Sequence, residues 1–256
     1  MSDQLKLNIE VKNKISDLIK QQLGDWECLY PFFEGTGWQE VKNQLRNDIP
    51  SIVPDPEHWF RCFTLCKYSG VKVVFVGLCP YHTTDSHSKD MVADGLAFST
   101  KYDNTVPPSL FKLYKGIEAD LWNGMNLQMN RYNDLTFLAE QGILLFNAAL
   151  TTIKGTAGYH NEVWKPFTSF LLTTLSKNTE GLIFVGFGQV ANQALLKVDR
   201  SKHMVIELEH PAASAYQSRH WTHENAFSRI NDQLSKQGKE MILWDNYLVN
   251  LEPAPF

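Results

Sequence analysis

Four short runs of β-branched and aliphatic residues, Val71–Val76, Ile143–Phe146, Leu182–Val185 and Met204–Leu208, set the tightest limit on what this chain can fold into. None of them alternates polar with apolar residues, as a strand with one wet face does. Each therefore reads as a strand buried on both faces, as in a parallel sheet. Between and after them, helical spacing predicts helices over Ser109–Trp122, Glu162–Leu175, Val190–Val198 and His223 to about Lys236. Ser109, directly after Pro107-Pro108, is expected to cap its helix through the side-chain oxygen. Strands alternating with helices indicate an α/β layer fold, here a single domain with a central parallel sheet of about four strands flanked by helices.

The first fifty residues read as a helical segment packed on that domain, which spans 51–256. Leu5, Ile9, Ile15, Leu18 and Ile19 fall near helical spacing, and a second short helix is expected near Trp38–Leu45. No linker-like tract, low-complexity run or solenoid-period repeat divides the chain. With 43% hydrophobic, 12% aromatic and 20% charged residues, the sequence can bury a sizeable core and is not that of a disordered chain. A net charge of −4 excludes a polycationic nucleic-acid coat but leaves a local DNA-binding groove open.

The four cysteines, Cys28, Cys62, Cys66 and Cys79, are expected to be free thiols, since a chain of this size needs no staples. Cys62 and Cys66 lie in an apolar stretch that suits small buried residues. A zinc or iron–sulfur site needs two closely spaced ligand pairs, which Cys28 and Cys79 do not supply, so no metal is expected. His220 and His223 read as a pair at a helix start. No apolar run is long enough to span a bilayer. Residues 1–23 mix acids and lysines, unlike a targeting peptide, so a reduced cytoplasmic protein is the expectation.

In open α/β sheets the site lies beyond the carboxyl ends of the strands. After the first strand comes Gly77-Leu78-Cys79-Pro80-Tyr81-His82, followed by Gly95-Leu96-Ala97-Phe98-Ser99. Asn147-Ala148-Ala149-Leu150-Thr151 follows the second, Gly186-Phe187-Gly188-Gln189 the third, and His210-Pro211-Ala212-Ala213-Ser214 the fourth. These blocks, in this order, together with Val53–Pro56, Val106–Leu110, Trp164 to Phe167 and Trp244-Asp245, resemble the family 1 uracil-DNA glycosylases over about residues 52–245.

The resemblance implies a flipped pyrimidine held in a pocket, because the target bond is inaccessible in the base stack. It implies Phe98 as the stacking platform, Asn147 as the reader of the base edge, and Leu78 and Tyr81 as pocket wall. The Tyr81 ring blocks bulky groups at pyrimidine C5 in the family. His210 would donate to the base carbonyl as charge develops on it, and His82 joins it in the catalytic set. Pro107, Ser109, Gly186, Gly188, Ala212 and Ser214 would face DNA phosphates, with Lys154 and Arg219 as nearby cations. The other histidines, at 58, 87, 160, 203, 220 and 223, are given structural roles.

Four departures stand out. Cys79 occupies the place of the family's water-orienting aspartate, and Leu78 that of a glutamine. The stretch from His82 to Gly95 is longer and carries Asp85, His87, Asp90 and Asp94. Ser214 stands where the family has a leucine that wedges into the duplex. Asp94 is the candidate to replace the missing carboxylate, since oxocarbenium-like cleavage profits from one nearby. The expected function is a monofunctional DNA glycosylase, monomeric and without metal or organic cofactor, leaving an abasic site. The pocket changes favour a modified pyrimidine, such as a hypermodified phage base, over uracil. The alternative is a catalytically silent DNA- or protein-binding homologue.

Overall fold

The computed structural model describes residues 16–85, 90–102, 106–123, 125, 129–216 and 221–245. In chain order these form α1 (Asp17–Leu23), α2 (Tyr30–Glu34), α3 (Thr36–Leu45), β1 (Ile52–Val53), α4 (Arg61–Leu65), β2 (Val73–Gly77), α5 (Pro108–Leu121) and α6 (Thr136–Glu140). There follow β3 (Ile143–Asn147), β4 (Thr152–Ile153), α7 (Asn161–Asn178), β5 (Ile183–Phe187), α8 (Gln189–Ala194), β6 (Met204–Leu208), α9 (Pro211–Tyr216) and α10 (Ala226–Lys236).

The four apolar runs become one parallel sheet in the order β3-β2-β5-β6. Every residue of β2, β3 and β5 is buried, as their unbroken apolar character requires. β6 differs: it is an edge strand with Glu207 exposed and Met204 and Val205 half-buried. Covering helices fill both faces. On one side Trp164 and Phe167 of α7 meet Phe33, Trp38, Phe60 and Phe63, so α2, α3 and α4 share one core with the sheet. Elsewhere in that core, Phe75 of β2 touches both Phe187 and Trp244, and Trp244 continues to Phe227 of α10.

Several local expectations shift. Helix α5 begins one residue earlier than expected, with Pro107 at the cap and no side-chain capping bond. Ser109 is therefore inside the first turn rather than at its edge. The 190–198 segment divides into α8 and a 3-10 turn, Leu195–Lys197. The residues after His210 form helix α9, not a loop. Five-residue helices such as α2, α4 and α6, and the two-residue pair β1–β4, are too short for periodicity to reveal. Leu5, Ile9 and Ile15 of the expected N-terminal helix lie outside the described residues. Among the described residues no helix is long and apolar enough to cross a membrane, and no group of three or more His, Cys, Asp or Glu is placed to hold a metal ion. All four cysteines are free.

Candidate active site

The parallel ladder brings Gly77 at the end of β2 opposite Asn147 at the end of β3. Pairing continues past the strands, with Ala148 N donating to Gly77 O at 2.9 Å and Ala149 N to Leu78 O at 3.1 Å. These bonds fasten the two motif loops together at the sheet edge. A side chain at position 77 would displace the Asn147 amide, because a Cβ there would lie 2.6 Å from Asn147 Oδ1. The Asn147 amide is buried, yet none of the side-chain hydrogen bonds among the described residues involves it. An amide left in that state keeps both its donor and its acceptor for an incoming group. Leu78 is half-buried, and its carbonyl is spent on Ala149.

Phe98 projects from the loop that crosses the same edge. Ala97 N donates to Leu145 O of β3 at 3.0 Å, which seats the loop on the sheet. Phe98 itself adopts a left-handed backbone conformation, φ 66°, which costs a non-glycine residue about 1–3 kcal/mol and marks a site where the surroundings impose it. Its ring packs edge-on to Phe187 at 4.9 Å between centroids and lies 6.0 Å from the His210 ring, tilted by 33°. Tyr81 O–H donates to the Phe98 carbonyl at 3.0 Å and shares a 2.9 Å bond with Ser109 Oγ. Burial pushes the Tyr81 hydroxyl well above its ordinary pKa, so it stays protonated.

His210 follows β6 and is oriented from two sides. Its Nδ1 accepts from the Ala212 N–H at 3.2 Å, which in the neutral ring puts the proton on Nε2. Burial lowers its pKa below the ordinary histidine value, favouring that neutral form. Gly188, with φ 94°, lets the backbone pass so close that a Cβ would sit 3.0 Å from His210 Cβ. Glycine is required there on both counts.

In the loop after β2 the wiring is thinner. Cys79 Sγ accepts from Gly158 N at 3.2 Å, and burial raises its pKa, so it is a neutral thiol. His82 is half-exposed as a residue, but its Nδ1 is buried without a hydrogen-bond partner. Gly155 N donates to the His82 carbonyl at 2.8 Å. Asp94, expected to replace the lost aspartate, has both oxygens occupied. Oδ1 accepts from Leu96 N at 3.0 Å, while Oδ2 accepts from Ser99 Oγ at 2.6 Å and pairs with Arg61 Nη1 at 2.8 Å. Burial pushes this carboxyl up, with Arg61 and Ser99 pulling the other way. Asp90 accepts from Tyr102 O–H at 2.8 Å, and Asp85 is buried, so neither is a plain solvated acid. His87 lies outside the described residues.

The expected phosphate contacts change most. Gly186 is a buried residue of β5, paired with Glu207 of β6, and cannot form the turn assigned to it. Gly188 spends its amide on Leu208 O at 2.9 Å, and Ala212 spends its own on His210. Pro107 has no amide, is buried, and gives its carbonyl to Phe111 N at 2.9 Å. Ser109 is buried with its hydroxyl on Tyr81. Ser214 lies on α9; its side chain, like Arg219 and His220, lies outside what the structure describes. Lys154 is exposed. His160 bonds Thr151 and Asp48, His203 bonds Leu182 N and the Ser176 carbonyl, and His223 accepts from Asn225 N. His58 stands 3.6 Å from Glu57.

Sequence reasoning missed Arg61, Phe187 as a neighbour of the platform, and Gly158. A signal existed only for Arg61: an acid placed just before Gly95 in a buried loop requires a cation nearby.

No protein-family model matches the chain. It is similar to the uracil-DNA glycosylase of Campylobacter hominis, 33% identical over 252 residues, covering 95% of this chain and 96% of that protein. The uracil-DNA glycosylase of Bacteroides thetaiotaomicron is 34% identical over 84% of this chain and 94% of its own. The crystal structure of mimivirus uracil-DNA glycosylase superposes with a TM-score of 0.78 at 26% identity, covering 96% of this chain and 94% of that one. Identity above three tenths over almost the whole length, joined to the same fold, leaves one conclusion: the chain belongs to the uracil-DNA glycosylase family, the monofunctional hydrolases of the DNA N-glycosyl bond.

Proposed function

We propose that this protein removes uracil from DNA, hydrolysing the N-glycosidic bond of the flipped nucleotide and leaving an abasic site. One observation carries the reading: a neutral His210, with its proton directed to Nε2, stands beside the Phe98 ring at the sheet edge. When the bond to C1′ breaks, its electron pair passes to the base and negative charge collects on a carbonyl oxygen. A fixed donor at that oxygen strengthens as the charge forms, which lowers the barrier rather than merely binding substrate. Asn147 supplies a donor and an acceptor to the base edge, and Phe98 supplies the stacking face.

Water attacks C1′ from the other side and loses a proton. His82 Nδ1, buried and unpartnered, is the acceptor we assign to it. Cys79 keeps its proton and offers only a weak hydrogen bond. Asp94 is left out of the chemistry, since its oxygens serve Arg61, Ser99 and Leu96. Of the phosphate contacts, the one at Ser109 is retained, through its amide in the first turn of the fourteen-residue helix α5.

Uracil is preferred to a modified pyrimidine because Tyr81 is held at its hydroxyl by two partners. A ring pinned in that way resists displacement by a bulky C5 group. The extra residues between His82 and Gly95 favour the second reading, a modified base. Thr84 and Met91 bridge across that stretch, and Asp90 ties it to Tyr102. The test uses oligonucleotides carrying uracil, thymine or a bulky 5-substituted pyrimidine, each probed for abasic sites by alkaline cleavage. Abasic product from uracil alone is expected. Comparable product from the bulky base would overturn the uracil reading. No product from any of them, with DNA binding intact, would identify a silent binding homologue.

A further inference from the structure

The loop that carries Phe98 is closed by charge. Asp94 at its start and Ser99 at its end are joined directly, Ser99 Oγ donating to Asp94 Oδ2 at 2.6 Å. The same carboxylate accepts from Leu96 N inside the loop and pairs with Arg61. Arg61 Nη1 also donates to the Asp94 carbonyl at 3.2 Å, and Nη2 to Thr136 Oγ1 at 2.8 Å, which ties the closure to α6. Ser99 Oγ in turn accepts from Leu135 N at 3.0 Å. Gly95 (φ 93°) makes the bend beneath, where a Cβ would lie 2.1 Å from the His58 carbonyl. Opposite this closure, Phe98 sits in a conformation that its own side chain disfavours.

We propose that Arg61, Asp94 and Ser99 form a staple that holds Phe98 in its left-handed conformation, making all three positioning residues for the base platform. Held at Ala97 and by Tyr81 at the Phe98 carbonyl alone, the six-residue loop could relax Phe98 into an ordinary backbone conformation and swing its ring away from Phe187 and His210. Tying residue 94 to residue 99 removes that freedom. The acid at position 94 thus serves the aromatic platform. It does not serve the water. The inference rests on Phe98 being the platform, and the test separates the two.

The experiment is a double-mutant cycle on the full chain, with steady-state excision from a uracil-containing single strand. Asp94→Asn keeps the shape and the Leu96 bond but discharges the staple. It is expected to raise KM about tenfold with kcat changed less than about threefold and an unaltered pH profile. In a Phe98→Ala background the same change should alter KM less than about twofold, because its target is gone. Ser99→Ala repeats the cycle without touching a carboxylate and covers the case in which Asp94→Asn does not fold. An Asp94→Asn effect that persists undiminished in the Phe98→Ala background would overturn the staple. So would a fall in kcat that abolishes the acid limb of the pH profile with KM unchanged. If Phe98→Ala itself leaves KM and kcat intact, the platform reading fails instead.

Discussion

At the ends of β5 and β6, His210 is bound at Nδ1 by Ala212 and packed against Gly188, and the neighbouring Phe98 is held through its loop by Arg61, Asp94, Ser99 and Tyr81. At the end of β2, Cys79 receives one N–H from Gly158, and His82 Nδ1 receives nothing. The first region is the leaving-group side of the proposed reaction and the second is the water side. The contrast teaches where the demand for preorganisation is concentrated. A donor aimed at a developing oxyanion must be fixed before the reaction begins. A proton acceptor for water needs reach more than rigidity, so that side could lose a carboxylate and keep its neighbours.

The largest test of the contrast is on the tightly held side. His210→Ala is expected to lower kcat by about 10²–10³, the scale for losing one oxyanion donor. Single-turnover excision on a uracil strand reads it directly, and an unchanged rate would remove His210 from the mechanism. On the looser side, His82→Ala should lower kcat by about a hundredfold with KM nearly constant, near the low end for general-base loss. A KM effect alone would make His82 a binding residue.

Smaller effects sharpen the boundary between the regions. Gly188→Ala puts a Cβ against His210 at a positive-φ position. It should cost about 1–2 kcal/mol of stability and about tenfold in kcat through a displaced imidazole; denaturation and turnover measure the two separately. Cys79→Ala should change kcat by less than about threefold, since a neutral thiol contributes no base. A large loss on that substitution would give the thiol a role in the chemistry.

The smallest effect is a pH slope. Burial lowers the His210 pKa in the folded chain below its ordinary value of 6.5. As pH falls through that value, the unfolded chain takes up the proton first, so the stability contributed by the neutral ring is full above about 6.5 and is lost towards the folded pKa. Urea titrations at pH 7.5 and pH 5 should show His210→Gln losing less stability on acidification than the parent does. An identical slope would place the titrating group elsewhere.

Much of the fold was legible in the sequence because the sheet is simple. The four apolar runs mapped onto β2, β3, β5 and β6 within two residues; Asn147 ends β3, and Cys79, Gly188 and His210 stand in the segments that follow the other three. Where the reading went astray, the cause was local chemistry settled by distant partners. Gly186 looked like a turn residue, but pairing with Glu207 keeps it in the strand. Ser109 looked like a helix cap, but its hydroxyl is taken by Tyr81. Asp94 looked like a spare carboxylate, because its position calls for a cation nearby but does not say which, and Arg61 lies 33 residues away in the chain.

The sequence alone determined that a parallel sheet forms, because runs without polar alternation can be satisfied only with both faces covered. It also determined which residue types stand at the sheet edge, because the motif loops follow the strands directly. Only the tertiary structure decided what each of those residues is free to do. Bonds between positions far apart in the chain spend some groups, such as the Asp94 carboxylate on Arg61 and the amide of Gly188 on Leu208. They leave others, such as the amide of Asn147 and Nδ1 of His82, with no partner among the described residues.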